Sequence, residues 1–236
     1  MKKNIFVIYL ILILTLCSSF AHAEITGYNK ETNQHSYFSI GHYTQGDSDE
    51  VSPILWRILE VNEDNIYLLS DRILFAQAVH HPYLEFHNDF NLDVRKTTLF
   101  KDLNSSFIDK AFSDTEKSFL YESPDYGYVS LPAADDIKNA AYGFIDNDSR
   151  MGYGTKFALE NKLFMYSNGS SPYWTRTPST SQAGSVRCTK VDGNIGFIRC
   201  QSIDLGVRPV IWIKSISTDE LTGDGTLSNP YKIIKE

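Results

Sequence analysis

Ile54-Leu55-Trp56-Arg57-Ile58-Leu59, Asn62-Glu63-Asp64-Asn65 and Ile66-Tyr67-Leu68-Leu69 follow one another within sixteen residues. The first run alternates with the two-residue period of a strand, the second is an Asx-rich turn, and the third is a returning strand rich in branched and aromatic side chains. A β-hairpin is expected here, and the pattern of the rest of the chain has to be built around it. From Tyr37 onward the approach to this hairpin is already β-like, whereas residues 24–36 are polar without a clear period and read as an extended lead-in.

Downstream the period changes. Phe100, Leu103, Phe107 and Ala111 recur at three and four residues, which predicts a helix from about Thr98 to Phe112. Ser113-Asp114-Thr115-Glu116 is a capping box that starts a further helical turn through Phe119. Ser130-Leu131-Pro132-Ala133-Ala134-Asp135-Asp136-Ile137 predicts a second main helix, with proline in its first turn and two carboxylates at the positive end of its dipole. From Tyr173 to Ile213 successive strands are expected: YWTRT, GSVRC, GFIRC and VRPVIWI, with Pro209 placing the last at an edge or a bulge. After Lys214 a polar tail, residues 216–236, ends in Asn229-Pro230-Tyr231-Lys232-Ile233-Ile234, which fits a last short strand. The fold class is therefore α+β, with antiparallel hairpins, two main helices and irregular loops.

The ends and the charge bound the function. Lys2 and Lys3, an aliphatic run from Ile5 to Leu16 and an Ala21-His22-Ala23 site read as a signal peptide over residues 1–23. That run is too short to span a bilayer, and no later run approaches spanning length. The expectation is export, to the periplasm, the cell surface or the medium. The formal net charge is −7, and the leader contributes two lysines and no acid, so the remainder is more acidic still. No Lys/Arg run offers a footprint for nucleic acid.

After the leader only Cys188 and Cys200 remain, in VRCTKVDGNIGFIRC. Two cysteines in an oxidising compartment are read as a disulfide, here across a hairpin turning at Asp192-Gly193-Asn194; a reactive or metal-binding thiol pair is the alternative. His80, His81, His87 and Asp89 fit no standard metal spacing and read as solvated loop residues, so no metal or cofactor is expected. Asp146-Asn147-Asp148-Ser149 opens like a calcium loop, but its glycine is displaced to Gly152 and the closing glutamate is missing, which leaves an Asx turn.

Two segments pair an arginine with a tryptophan and prolines: Ser170–Pro178 (SSPYWTRTP) and Gly206–Ile213 (GVRPVIWI). Trp174, Arg176, Arg208 and Trp212 are read as a structural arginine–aromatic network, with tryptophan rings on guanidinium planes. The alternative is an open platform for a sugar or an anionic group. On the structural reading, ligand contacts would come from the polar segment between them, with Ser181, Gln182, Lys190, Asp192, Asn194 and Gln201 as candidates.

Together PILWRILEVNEDNIYLLSDRIL, KDLNSSFIDKAFSDTEK, YVSLPAADDIKNAAYGF, YWTRTPS and GVRPVIWI resemble the bacterial family DUF6273, a domain of unknown function, over about residues 37–215. The family pattern usually has leucine where Thr175 stands. More distantly, Leu131-Pro132 entering an acidic segment that ends in Ala140-Ala141 is similar to a helix of formylglycine-generating-enzyme-like proteins. That resemblance implies a C-type-lectin-like fold. The oxidases of that group hold copper on a closely spaced cysteine pair, which Cys188 and Cys200 do not reproduce. The expectation is accordingly an exported, non-catalytic binding protein for a glycan or a protein surface. A formylglycine-generating-type oxidase acting on a peptide or small molecule, and a structural envelope component, are the alternatives.

Overall fold

A computed structural model describes residues 24–47, 50–81, 86 and 88–234; the signal peptide read at 1–23 and His87 lie outside them. The architecture is α+β, with two five-stranded sheets that are antiparallel throughout except for one strand pair.

The first sheet is built on the hairpin. Strands β3 (Tyr37–Thr44), β4 (Val51–Val61) and β5 (Asn65–Ser70) pair in order, and β12 (Val210–Lys214) and β7 (Val129–Ser130) extend the sheet beyond β5. The β4–β5 turn closes as the sequence implies, the Asn62 side-chain oxygen accepting from the N–H groups of Asp64 and Asn65. Strand alternation sends Ile54, Trp56, Ile58, Leu68, Ile211 and Ile213 to the larger core. Tyr67, Leu69 and Val210 go to a smaller core on the opposite face, and a register shift between Ile58 and Glu60 lets Leu59 join them. Both faces of this sheet are therefore covered, but by different parts of the chain.

The helical segment covers the larger core. It runs from α1 (Thr98–Asp102) through a π-helical turn, Leu103–Phe107, into α2 (Ile108–Ala111), with the Thr97 side chain capping its start. The wide turn realigns the apolar stripe, so that Leu99, Leu103, Phe107, Ile108 and Ala111 are all buried. α3 (Asp114–Phe119) begins at the expected capping box: the Ser113 hydroxyl accepts from the Glu116 N–H, and the Glu116 carboxylate accepts from the Ser113 N–H.

The second predicted helix does not form. After β7 the chain makes two 3-10 turns, Asp136–Lys138 and Ala140–Tyr142, separated by Asn139 in an extended conformation. Local side-chain bonds outcompete the helix: Asp136 accepts from the Ala133 N–H and Asn139 from the Ala141 N–H. Gly143, at φ 82°, then ends the run. The only other α-helices among the described residues are short, α4 (Asn147–Arg150) and α5 (Lys156–Glu160). α4 starts at Asp146, whose side chain caps Ser149, so the calcium-like sequence serves as a helix start.

The second sheet follows the order β10 (Ile195–Arg199), β9 (Ser185–Thr189), β8 (Tyr173–Pro178), β11 (Gly206–Val207) and β6 (Phe75–Ala76), with β11 parallel to β8. Pro209 is neither at an edge nor in a bulge. Arg208 and Pro209 are the crossover at which the chain leaves the second sheet as β11 and enters the first as β12. The polar lead-in is also more ordered than its sequence suggests: β1 (Tyr28–Asn29) and β2 (Gln34–His35) form a small hairpin with Asn33 at φ 54°. At the other end β13 (Leu221–Thr222) pairs with β14 (Lys232–Ile233), and Tyr231 bridges Phe38 so that the tail lies along β3. No helix among the described residues is long and apolar enough to cross a membrane.

Candidate functional site: an arginine-backed aromatic face

The smaller core thins out toward one end of the first sheet. Trp212 of β12 projects there beside Tyr67 of β5, its register partner, with ring centroids 4.9 Å apart and planes within 16°. Tyr126 lies beyond the tryptophan, 6.5 Å away and tilted by only 13°. Three rings thus lie nearly parallel. Tyr67 is buried, while Trp212 and Tyr126 are half-buried. Tyr142 meets Tyr67 edge-on and donates to the Glu60 carboxylate at the rim.

Arg176 of β8 holds this arrangement from behind. Its guanidinium lies 4.4 Å from the centre of the Tyr126 ring, and Nη1 donates to the Leu131 carbonyl at 2.7 Å. The same nitrogen is 3.2 Å from the Asp136 carboxylate, which accepts from the Tyr67 hydroxyl at 2.7 Å. Burial, followed by the Asp136 charge, pushes the Tyr67 phenol well above its ordinary value, so it stays a neutral donor. Burial alone would lower Arg176, but Tyr67 and Asp136 outweigh it and the guanidinium is held more firmly charged. Chemically the result is a fixed, half-exposed aromatic surface with a cation, a carboxylate and phenol groups around it. Such a surface can offer its exposed ring edges to the apolar face of a ring-shaped ligand and bond its polar edge.

The four arginine–aromatic residues therefore separate into two groups. Arg176 and Trp212 belong to the half-exposed face. Trp174 is fully buried in the larger core, its Nε1 donating to the Gln77 carbonyl. Arg208, 1 % exposed, donates from Nε to the Ser70 carbonyl and from Nη1 to the Tyr173 hydroxyl, with Tyr173 also under its guanidinium. The guanidinium planes meet tyrosines, Tyr126 and Tyr173, where the sequence suggested tryptophans. Tyr67, Tyr126, Tyr142, Asp136 and Glu60 were not anticipated. They come from four separate stretches, and no local pattern links them to Trp212.

The polar candidates do not converge. Ser181 and Gln182 donate their backbone N–H groups to the Ser179 hydroxyl, and Gln201 lies at the same end of the β9–β10 hairpin with its side-chain oxygen buried and unpartnered. Lys190, Asp192 and Asn194 lie at the other end. There Asp192 accepts from the backbone and side chain of Asn194, and Asn194 accepts from Asn147. These contacts close a turn and tether it to α4.

The expected disulfide is corrected as well: Cys188 and Cys200 are free and fully buried. Cys188 is opposite Gly196, and the Cys200 N–H reaches the Gly184 carbonyl, so the two cysteines are four positions apart along the hairpin. At about 3.3 Å per residue that is roughly 13 Å, well beyond disulfide reach. Burial pushes the Cys188 thiol up to about 12, which keeps it protonated and unreactive. The melting temperature should therefore be the same with and without reductant, and denatured protein prepared without residues 1–23, which carry Cys17, should titrate two thiols. A reductant-sensitive transition would mean that the hairpin register is wrong.

Of the loop histidines, His80 is buried rather than solvated: Nδ1 accepts from the Thr98 N–H, and the ring packs edge-on against Phe86 at 4.5 Å. Among the described residues no group of three His, Cys, Asp or Glu side chains is placed to hold a metal ion. Two clefts lie elsewhere among the described residues. One, of about 610 Å³, lies between β3, α3 and β14, with Ile40, Phe119 and Ile233 as apolar walls and Glu116 at its edge. The other, of about 700 Å³, lies between the β1–β2 hairpin and the loop at 224–228.

Residues 129–215 match the family model described as Domain of unknown function (DUF6273). The matched segment includes Asp136, Arg176 and Trp212 of the aromatic face, whereas Tyr67 and Tyr126 precede it. No curated protein and no solved structure matches the chain.

Proposed function

We propose that this chain is an exported, non-catalytic binding protein that recognises a glycan through the Trp212 face. The observation that carries the reading is the stack itself: Trp212 lies between Tyr67 and Tyr126, half-exposed, with Arg176 and Asp136 fixed beside it. Sugar rings present C–H groups to such surfaces and hydroxyls to the charged groups around them, so one site serves both halves of the ligand. Export rests on the Lys2-Lys3, Ile5–Leu16 and Ala21-His22-Ala23 pattern, which has the order of a secretory leader. A C-type-lectin-like fold is the architecture proposed for it, supported by the α+β class and the irregular loops between residues 131 and 172. The family likeness carries no activity, so the site and not the fold has to argue function.

The test is retention on a glycan array and on isolated cell-wall polysaccharide, read for the intact protein and for Trp212→Ala and Tyr126→Ala. Each truncation should weaken binding roughly tenfold, as expected for the loss of one stacked ring. Tyr126 lies outside the two core clusters, so Tyr126→Ala should leave the melting temperature close to that of the parent. Glycan binding that survives both substitutions would move the site elsewhere, and no retention on any glycan would end the reading.

A further inference from the structure

We infer that the cleft between the β1–β2 hairpin and the 224–228 loop is a second binding site, for an uncharged sugar unit. It lies wholly outside the segment that matches the family model and shares no residue with the Trp212 face, so the two sites stand or fall separately.

The lining chemistry is the first argument. No lysine, arginine or glutamate lines the cleft; its histidine, His35, is kept neutral near pH 7 by burial, and its one carboxylate, Asp224, is engaged by its own loop, accepting from the Thr226 N–H. A charged ligand would find no counter-ion there. Hydroxyl and carboxamide groups face the space instead. The side chains of Thr26, Thr32, Gln34 and Ser36 bond to no other described residue. Asn29 and Asn33 use their side-chain oxygens within the hairpin, accepting from the Glu31 and Thr32 N–H groups and from the Tyr28 hydroxyl, which leaves both NH₂ groups to donate outward. Carboxamides and hydroxyls that both donate and accept are the complement of a sugar's adjacent hydroxyls. Tyr37 adds an aromatic wall.

Rigidity is the second argument. The Tyr37 N–H donates to the Gly225 carbonyl, and Tyr231 exchanges bonds with β3 on either side, donating to Tyr37 and accepting from Ser39. Gly225, at φ 78°, lies flat against the Tyr231 ring, where a Cβ would come within 2.4 Å. The 224–228 wall is therefore fixed to β3, the hairpin wall is held to β4 by the Ile58 N–H donating to the Ser36 carbonyl, and a ligand would order little on binding. A volume of about 700 Å³ accommodates one or two sugar rings.

The experiment is amide-resolved NMR of the intact mature protein, titrated with a panel of neutral hexoses, N-acetylhexosamines and their disaccharides, and with glucuronate as the charged control. At least one neutral sugar should shift the amides of residues 26–37 and 224–228 together. Gln34→Ala and Thr32→Val, both exposed changes, should weaken that response roughly tenfold. Trp212→Ala should leave it unchanged, which separates this site from the aromatic face. A silent cleft across the panel, shifts only with glucuronate, or a response unaffected by both cleft variants would each overturn the inference.

Discussion

Replacing Arg208 by alanine should lower the melting temperature by about 10 °C or more, with Arg208→Lys recovering little of the loss. The guanidinium lies where the chain passes from one sheet to the other, 1 % exposed, and among the described residues no carboxylate forms an ion pair with it. Burial draws its affinity for the proton below the usual arginine range, while the Tyr173 ring and hydroxyl and the more distant Asp71 act in the opposite sense. Its value to the fold lies in geometry. One planar group reaches the Ser70 carbonyl at the end of β5 and the Tyr173 hydroxyl on β8, and so ties the two sheets at their crossover. Alanine would take the guanidinium from the buried Ser70 carbonyl, leave the Tyr173 hydroxyl with only its bond to the Arg150 carbonyl, and open a cavity beneath Tyr173. Such losses cost about 3–5 kcal/mol, and at about 2–4 °C per kcal/mol for a chain of this size the transition should move by that amount. Lysine keeps the charge but cannot reach two acceptors in different directions from one plane. Arg208→Met tests the charge separately. If methionine matches wild type, the carbonyl and hydroxyl contacts contribute nothing net and the argument from geometry fails.

The parts of the structure that were legible from sequence are those decided by contacts close in the chain. Strand alternation and the Asn62 turn gave the β4–β5 hairpin, and Ser113 with Glu116 gave the start of α3, because each signal and its partner lie within a few residues. Where the deciding contact is distant, the sequence misled. Residues 131–142 have the composition of a helix, but the carboxylate that would complement a helix dipole at Asp136 binds Ala133 and Tyr67 instead. The Cys188–Cys200 pairing failed on register. Its premise was that a turn at Asp192-Gly193-Asn194 lies midway between the cysteines, whereas their midpoint is residue 194. The observed turn centres on Asp192, closed by the Lys190 N–H to the Asn194 carbonyl. Gly193, at φ 75°, lies so close to the Asn147 carbonyl that any Cβ would collide with it, so α4 helps to set the turn. The aromatic face was half visible: the two motifs carrying Arg176 and Trp212 are conspicuous, but Tyr126 and Tyr67 become their neighbours only through sheet order.

Acidification should destabilise the protein through His35. This imidazole packs against Gly143, Tyr28 and Tyr37, and its Nδ1 is buried without a hydrogen-bond partner among the described residues. Burial, then the positive charges of Arg57 and Arg208, lowers its pKa from 6.5 to about 4, with Asp71 opposing them. In the unfolded chain the same histidine takes a proton near pH 6.5, so between pH 6.5 and 4 the unfolded state binds more protons than the folded one, and stability must fall as the pH falls. The contribution is complete above pH 6.5, is lost progressively down to about pH 4 and changes no further below that. Discounted for the solvent that still reaches the ring, the full swing is about 2–3 kcal/mol. Asp71 does not mimic this. The Arg57 ion pair at 2.7 Å, with Arg208 behind it, overcomes burial and holds its carboxyl below 3.8, so its loss begins only at more acid pH. Chemical denaturation at pH 7 and pH 4.5 should therefore show the wild type losing most of this increment and His35→Phe, which keeps a ring in the pocket without a titrating nitrogen, losing little. Equal losses in the two proteins would place the acid sensitivity on carboxylates and leave the buried His35 nitrogen without consequence.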